Sequence, residues 1–137
     1  MALARVLVVD YDLTSRLTLQ TVLRAGGYWV DVAATAAEAI GKMDDTRYDL
    51  VLSDLRMESE DAGLKVLAHA RMKEYKPATA LIRSELESTP TGRPSEMLVK
   101  TEGVPTLLAE VAELLGERAS RRVARNLRLA AACQPTG

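Results

Sequence analysis

Short, uninterrupted apolar runs alternate along this chain with longer stretches in which apolar residues return every three or four positions. Residues 5–10 (RVLVVD) form the first run, the pattern of a strand covered on both faces. Asp12 then stands where a helix cap belongs. Leu13, Leu17, Thr21 and Val22 follow at helical spacing with Leu19 and Leu23 beside them, and Gly26 and Gly27 end the segment. Residues 28–33 (YWVDVA) predict a second strand. Thr35 caps a short alanine-rich helix that turns Ala36, Ala39, Ile40 and Met43 inward.

The third run, residues 48–54 (YDLVLSD), again ends on an aspartate. After the polar loop LRMESED, residues 63–74 resume helical spacing through Leu64, Leu67, Ala68 and Met72, and Pro77 breaks it. Residues 79–82 (TALI) predict a fourth strand. The next crossover is irregular: residues 84–95 (SELESTPTGRPS) hold Pro90, Gly92 and Pro94 with Leu86 as the one apolar side chain, so a helix there is shortened or absent. Residues 97–100 (MLVK) predict a fifth strand, and Pro105 opens a helix carrying Leu107, Leu108, Val111, Leu114 and Leu115.

Strands that alternate with helices predict an α/β fold, a doubly wound five-stranded parallel sheet, because parallel neighbours need crossover connections. In such sheets functional groups gather beyond the carboxyl ends of the strands. Asp10, Asp54, Ser84 and Lys100 all stand at or just past those ends. Two carboxylates brought together there repel unless a cation joins them, and either a hard divalent ion such as Mg²⁺ or the Lys100 ammonium would serve.

Composition narrows the class. The 137 residues are 47% hydrophobic, enough for one domain with a core. The single cysteine, Cys133, excludes an intramolecular disulfide, and neither a signal peptide nor a membrane-spanning run is expected, which points to the cytoplasm. Charge is unevenly spread: thirteen basic and eighteen acidic side chains precede residue 117, whereas five arginines follow it against Glu117 alone. Residues 1–116 are therefore read as the domain and residues 117–137 as a basic helical extension and tail. Arg118, Arg121, Arg122, Arg125 and Arg128 recur at helical intervals, fitting a solvated helix or one that docks a partner or a second copy. Nucleic acid is not favoured, because the stretch lacks aromatics and is too short for a helix-turn-helix pair. His69 is expected in solvent, and Tyr28 and Trp29 at a sheet edge.

The strings VLVVDYD, YDLVLSDLRM, ALIRS and MLVK, in that order, resemble the receiver domains of two-component response regulators over roughly residues 4–116. The resemblance implies a flavodoxin-like sheet and a phosphorelay role without an output domain, not an enzyme. Asp54 matches the phosphoacceptor, Ser84 the switch hydroxyl and Lys100 the ammonium that neutralises a phosphoryl oxygen. Asp10 matches the first acid that holds Mg²⁺, and Arg56 the position that lends the metal a backbone carbonyl. Implied partners are a histidine kinase or phosphotransfer protein and a downstream protein target, with the basic helix as a docking element.

The departures are specific. Tyr11 occupies the second-acid position, so metal binding is weakened unless Asp12 reaches back. Thr101 replaces the proline that usually follows the lysine, Met97 stands where an aromatic switch residue is common, and MESEDAGL replaces the usual proline and glycine turn after the phosphoacceptor. Tyr11 and the shortened or absent helix within residues 84–95 favour an alternative, a phosphorylation-independent pseudo-receiver that acts as an interaction module with Lys100 paired to Asp54. A small-molecule enzyme has no support, since glycine-rich phosphate loop and nucleophile elbow are both missing.

Overall fold

The apolar runs become strands because helices cover both of their faces. The computed structural model describes residues 4–54, 57, 59, 61–83, 97–99 and 104–133. It contains β1 (Arg5–Val9), α1 (Leu13–Ala25), β2 (Trp29–Ala33), α2 (Ala36–Asp45), β3 (Leu50–Asp54), α3 (Ala62–Met72), β4 (Ala78–Arg83), β5 (Met97–Val99) and α4 (Val104–Cys133). The strands pair in the order β2-β1-β3-β4-β5, every pair parallel. This is the doubly wound sheet that the alternation predicts. The expectation of a shortened or absent helix within residues 84–95 lies outside the described residues.

Successive side chains of residues 6–9 on β1 and 50–53 on β3 point to opposite faces and are fully buried on each. Leu7, Val9 and Val51 pack with Ala39 and Met43 of α2 and with Val66, Leu67 and Ala70 of α3. Val6, Val8, Leu50 and Leu52 pack with Leu19 and Leu23 of α1 and with Leu107 and Val111 of α4. Each leucine or valine taken wholly out of water contributes about 1.5–3 kcal/mol, so these two clusters hold the fold.

Local signals set the boundaries. Asp12 caps α1 by accepting from the Ser15 N–H at 2.8 Å. Gly27, at φ 98°, ends it in the left-handed region that glycine enters without a steric penalty. Thr35 accepts from the Glu38 N–H at 3.2 Å, and Glu38 returns the favour by accepting from the Ala34 N–H at 2.8 Å. Trp29 lies on the edge strand as expected, exposed, with the Arg5 guanidinium 4.7 Å from its ring centroid.

α4 runs unbroken for thirty residues, about 45 Å at 1.5 Å per residue, across the point where the charge changes sign. Its first half lies on the sheet; farther on, Val123, Leu127 and Leu129 are exposed. Arg118 departs from the solvated expectation. It is only 7% exposed and clamps the helix to the body: Nη1 donates to Asp49 Oδ1 at 2.8 Å, Nε to the Lys76 carbonyl at 2.9 Å and Nη2 to the Tyr75 carbonyl at 2.8 Å. Its place four residues after Leu114 and seven after Val111 puts it on the stripe that faces the sheet, where a guanidinium needs acceptors. No described helix is long and apolar enough to cross a membrane.

Candidate functional site

The register decides whether the sequence-predicted acids meet. Val9 pairs with Ser53 across β1 and β3, so Asp10, the next residue, stands beside Asp54 at the carboxyl ends of neighbouring strands. Asp10 keeps its place because its N–H donates to the Ala33 carbonyl of β2 at 3.0 Å, and Arg16 Nη1 donates to its own carbonyl at 2.9 Å. Asp54 is the last residue of β3 and pairs with Ile82 of β4. Two of the three predicted acids thus converge, one on each of two adjacent strands.

Both are buried, Asp10 at 1% exposure and Asp54 at 7%, with Ser53 beneath them wholly enclosed. Like charges on neighbouring strand ends repel, and more strongly out of water than in it. Burial without a cation or a proton is therefore unfavourable. Asp10 Oδ1 accepts from the Asp12 N–H at 3.0 Å, which orients the carboxylate toward the loop that follows β1.

The loop itself differs from a two-acid ligand set. Tyr11 is 58% exposed, so its ring is not part of the packed body. Asp12 caps α1 with Oδ2, as expected of it. Among the described residues no group of three His, Cys, Asp or Glu side chains converges in a way that would hold a metal ion. Arg56, Ser84 and Lys100, the other predicted members, lie outside the described residues; Ser84 and Lys100 directly follow β4 and β5 in the chain. The donor set present, buried carboxylate oxygens, suits a hard divalent cation in kind and offers fewer acids than the family pattern.

Two polar clusters elsewhere were not read from the sequence. One is the Arg118 clamp, whose acceptor Asp49 also takes the Arg5 N–H at 2.9 Å. The helical phase of Arg118 was the signal for it. The other joins α2 to α3: Asp44 Oδ1 lies 2.8 Å from His69 Nε2 and 2.9 Å from Lys73 Nζ. Hydrogen bonds from Lys73 first and His69 second hold the Asp44 carboxyl below the usual carboxylate range, and the bond to Asp44 raises Lys73. His69, expected in solvent, is thus half of a bridge between helices that are distant in sequence, which no local pattern announces.

A family model described as the response regulator receiver domain matches residues 6–90. The transcriptional regulatory protein PrrA of Mycobacterium leprae (strain TN) is 33% identical over 118 residues, covering 83% of this chain and 51% of that protein. ResD of Bacillus subtilis (strain 168), also a transcriptional regulatory protein, is 36% identical over 77 residues, 56% of this chain and 32% of its own length. The chain thus spans about half or less of these relatives. Among solved structures, a CheY-like receiver domain protein from Methanospirillum hungatei JF-1 superposes with a TM-score of 0.74 at 21% identity, covering 88% of this chain and 99% of that one. CheY4 of Vibrio cholerae, a chemotaxis response regulator, superposes with a TM-score of 0.68 at 28% identity over 81% of this chain and 98% of that one.

Proposed function

From the premise that this chain belongs to the response regulator receiver family, we propose that it accepts a phosphoryl group on Asp54 and signals to a protein partner by a change of conformation. Receivers are in general signalling modules of two-component systems rather than enzymes. The observation that carries the finer reading is the burial of Asp54 beside Asp10 at the ends of β3 and β1. A carboxylate held there is a nucleophile whose attack on the phosphorus of a partner's phosphohistidine forms the aspartyl P–O bond as the P–N bond breaks.

Asp10 and Asp54, with the Arg56 carbonyl and Asp12 as further candidates, are the residues that would hold Mg²⁺. Bound there, the ion supplies neutralisation of charge on the phosphoryl oxygens. Ser84 is assigned as the hydroxyl that bonds a phosphoryl oxygen and Lys100 as the ammonium beside it. Residues 1–116 form the receiver in this reading, and residues 117–137 extend it as a docking element for a target or a second copy. The donor is a histidine kinase or phosphotransfer protein.

One observation favours a second reading. An exposed Tyr11 at the second-acid position weakens the metal site, which suits a pseudo-receiver that binds its partner without phosphorylation. Incubation with Mg²⁺ and acetyl phosphate separates the two. A mass gain of one phosphoryl group, absent in Asp54→Asn, is expected; no gain at millimolar metal transfers the assignment to the second reading.

A further inference from the structure

The stripe of α4 that faces the body changes character as it passes the sheet. Leu107, Val111 and Leu114 pack on the apolar core, and Arg118, Arg122 and Arg125 continue the same spacing of three and four residues. Arg118 is tied to Asp49, just before β3, and to the carbonyls of Tyr75 and Lys76, shortly before β4. The arginines therefore overhang the amino ends of the strands, opposite the end that carries Asp10 and Asp54.

Between the overhang and the body lies a cleft of about 270 Å³, lined by Arg47, Glu74, Arg118, Arg122, Arg125 and Asn126. Tyr48 and Tyr75 complete its wall, their hydroxyls already donating to Asp31 Oδ2 at 2.7 Å and to the Met43 carbonyl at 2.8 Å. Four guanidiniums there meet two carboxylates, Asp49 and Glu74. Arg118 neutralises Asp49. Among the described residues Arg47, Arg122 and Arg125 have no ion-pair partner, so a surplus of positive charge faces a walled, polar space. Burial holds the Arg118 guanidinium below the usual arginine range even beside Asp49, and Arg122 and Arg121 push the same way.

We propose that this cleft is a binding site for a small molecule carrying a phosphate or diphosphate group. A surplus of about two positive charges matches the charge of a phosphate monoester near neutral pH. Guanidiniums approaching from α4 and from the loop before β3 grip phosphate oxygens from two sides, which planar, forked donors do better than ammonium groups. Asn126 adds an amide donor. The size of the cleft suits a small ligand rather than a chain of residues.

The site is independent of phosphorylation at Asp54, and its test keeps the two apart. The full chain is titrated with phosphate and pyrophosphate in chelator at fixed ionic strength, followed by calorimetry and amide NMR shifts. Saturable binding is expected, with shifts confined to residues 47–49, 74–76 and 118–126 and retained in Asp54→Asn. Arg122→Gln with Arg125→Gln, both exposed and free of packing roles, weakens it by about tenfold per guanidinium lost. Arg121→Gln with Arg128→Gln, which removes the same charge from the same helix outside the cleft, leaves it nearly unchanged. Equal weakening by the two pairs, equal binding of chloride and pyrophosphate, or tighter binding of an acidic peptide than of pyrophosphate overturns the proposal.

Discussion

Asp10 and Asp54 owe their chemistry to standing one residue past the Val9–Ser53 pair of β1 and β3, since a carboxylate at position 9 would point into an apolar core. Tyr11 is where the residue scale departs from the family pattern: it replaces a ligand yet contributes little packing at 58% exposure. Tyr11→Asp is therefore expected to cost the fold less than about 0.5 kcal/mol, as surface changes usually do. A third carboxylate at the carboxyl ends should tighten Mg²⁺ binding by about tenfold, checked by calorimetry of both proteins. No gain in affinity would mean that residue 11 does not reach the acid pair.

At the scale of elements, two polar joints add to the packing that the two apolar clusters provide. Arg118 ties α4 to the loops before β3 and β4 through three short bonds. Arg118→Ala leaves two backbone carbonyls and Asp49 without this donor, a loss of about 2–3 kcal/mol that a urea midpoint would register. Asp44 joins α2 to α3 through His69 and Lys73. Its folded-state pKa is depressed, so its contribution is present above the unfolded value and is lost as pH falls through the folded one. Lys73 has the opposite sign, its contribution being lost only as pH rises through its raised pKa. Asp44→Asn should accordingly reduce stability at neutral pH and leave it nearly unchanged in strong acid, measured as urea midpoints against pH. The effect is small because both side chains meet solvent and salt screens them.

For the whole molecule, the sheet separates two chemistries by strand direction: the buried Asp10 and Asp54 pair at the carboxyl ends, the Arg118, Arg122 and Arg125 stripe at the amino ends. Stability is graded in the same geometry. Residues 6–9 and 50–52 are covered on both faces, whereas α4 beyond Arg118 exposes nearly every side chain. Amide exchange should therefore be slowest in β1 and β3, opening only with global unfolding, and fastest in residues 121–131. Comparable protection at both ends of α4 would instead show that its overhang is held by something more than the Arg118 clamp.

Alternation of apolar runs with helical periods determined the five strands and, through the aspartates that end two of them, the location of the acid pair, because period and turn chemistry are local properties of a chain. Strand order and register belong to the tertiary structure alone. They put Asp10 beside Asp54 by pairing Val9 with Ser53, a choice made by the packing of both faces at once. Helical phase carried a trace of the Arg118 clamp, yet its acceptors at positions 49, 75 and 76 come from loops that only the folded sheet brings under α4. The bridge of Asp44 to His69 and the basic cleft share that origin. Contacts between residues far apart in sequence arise when helices and loops are held against one sheet, and no local pattern encodes them.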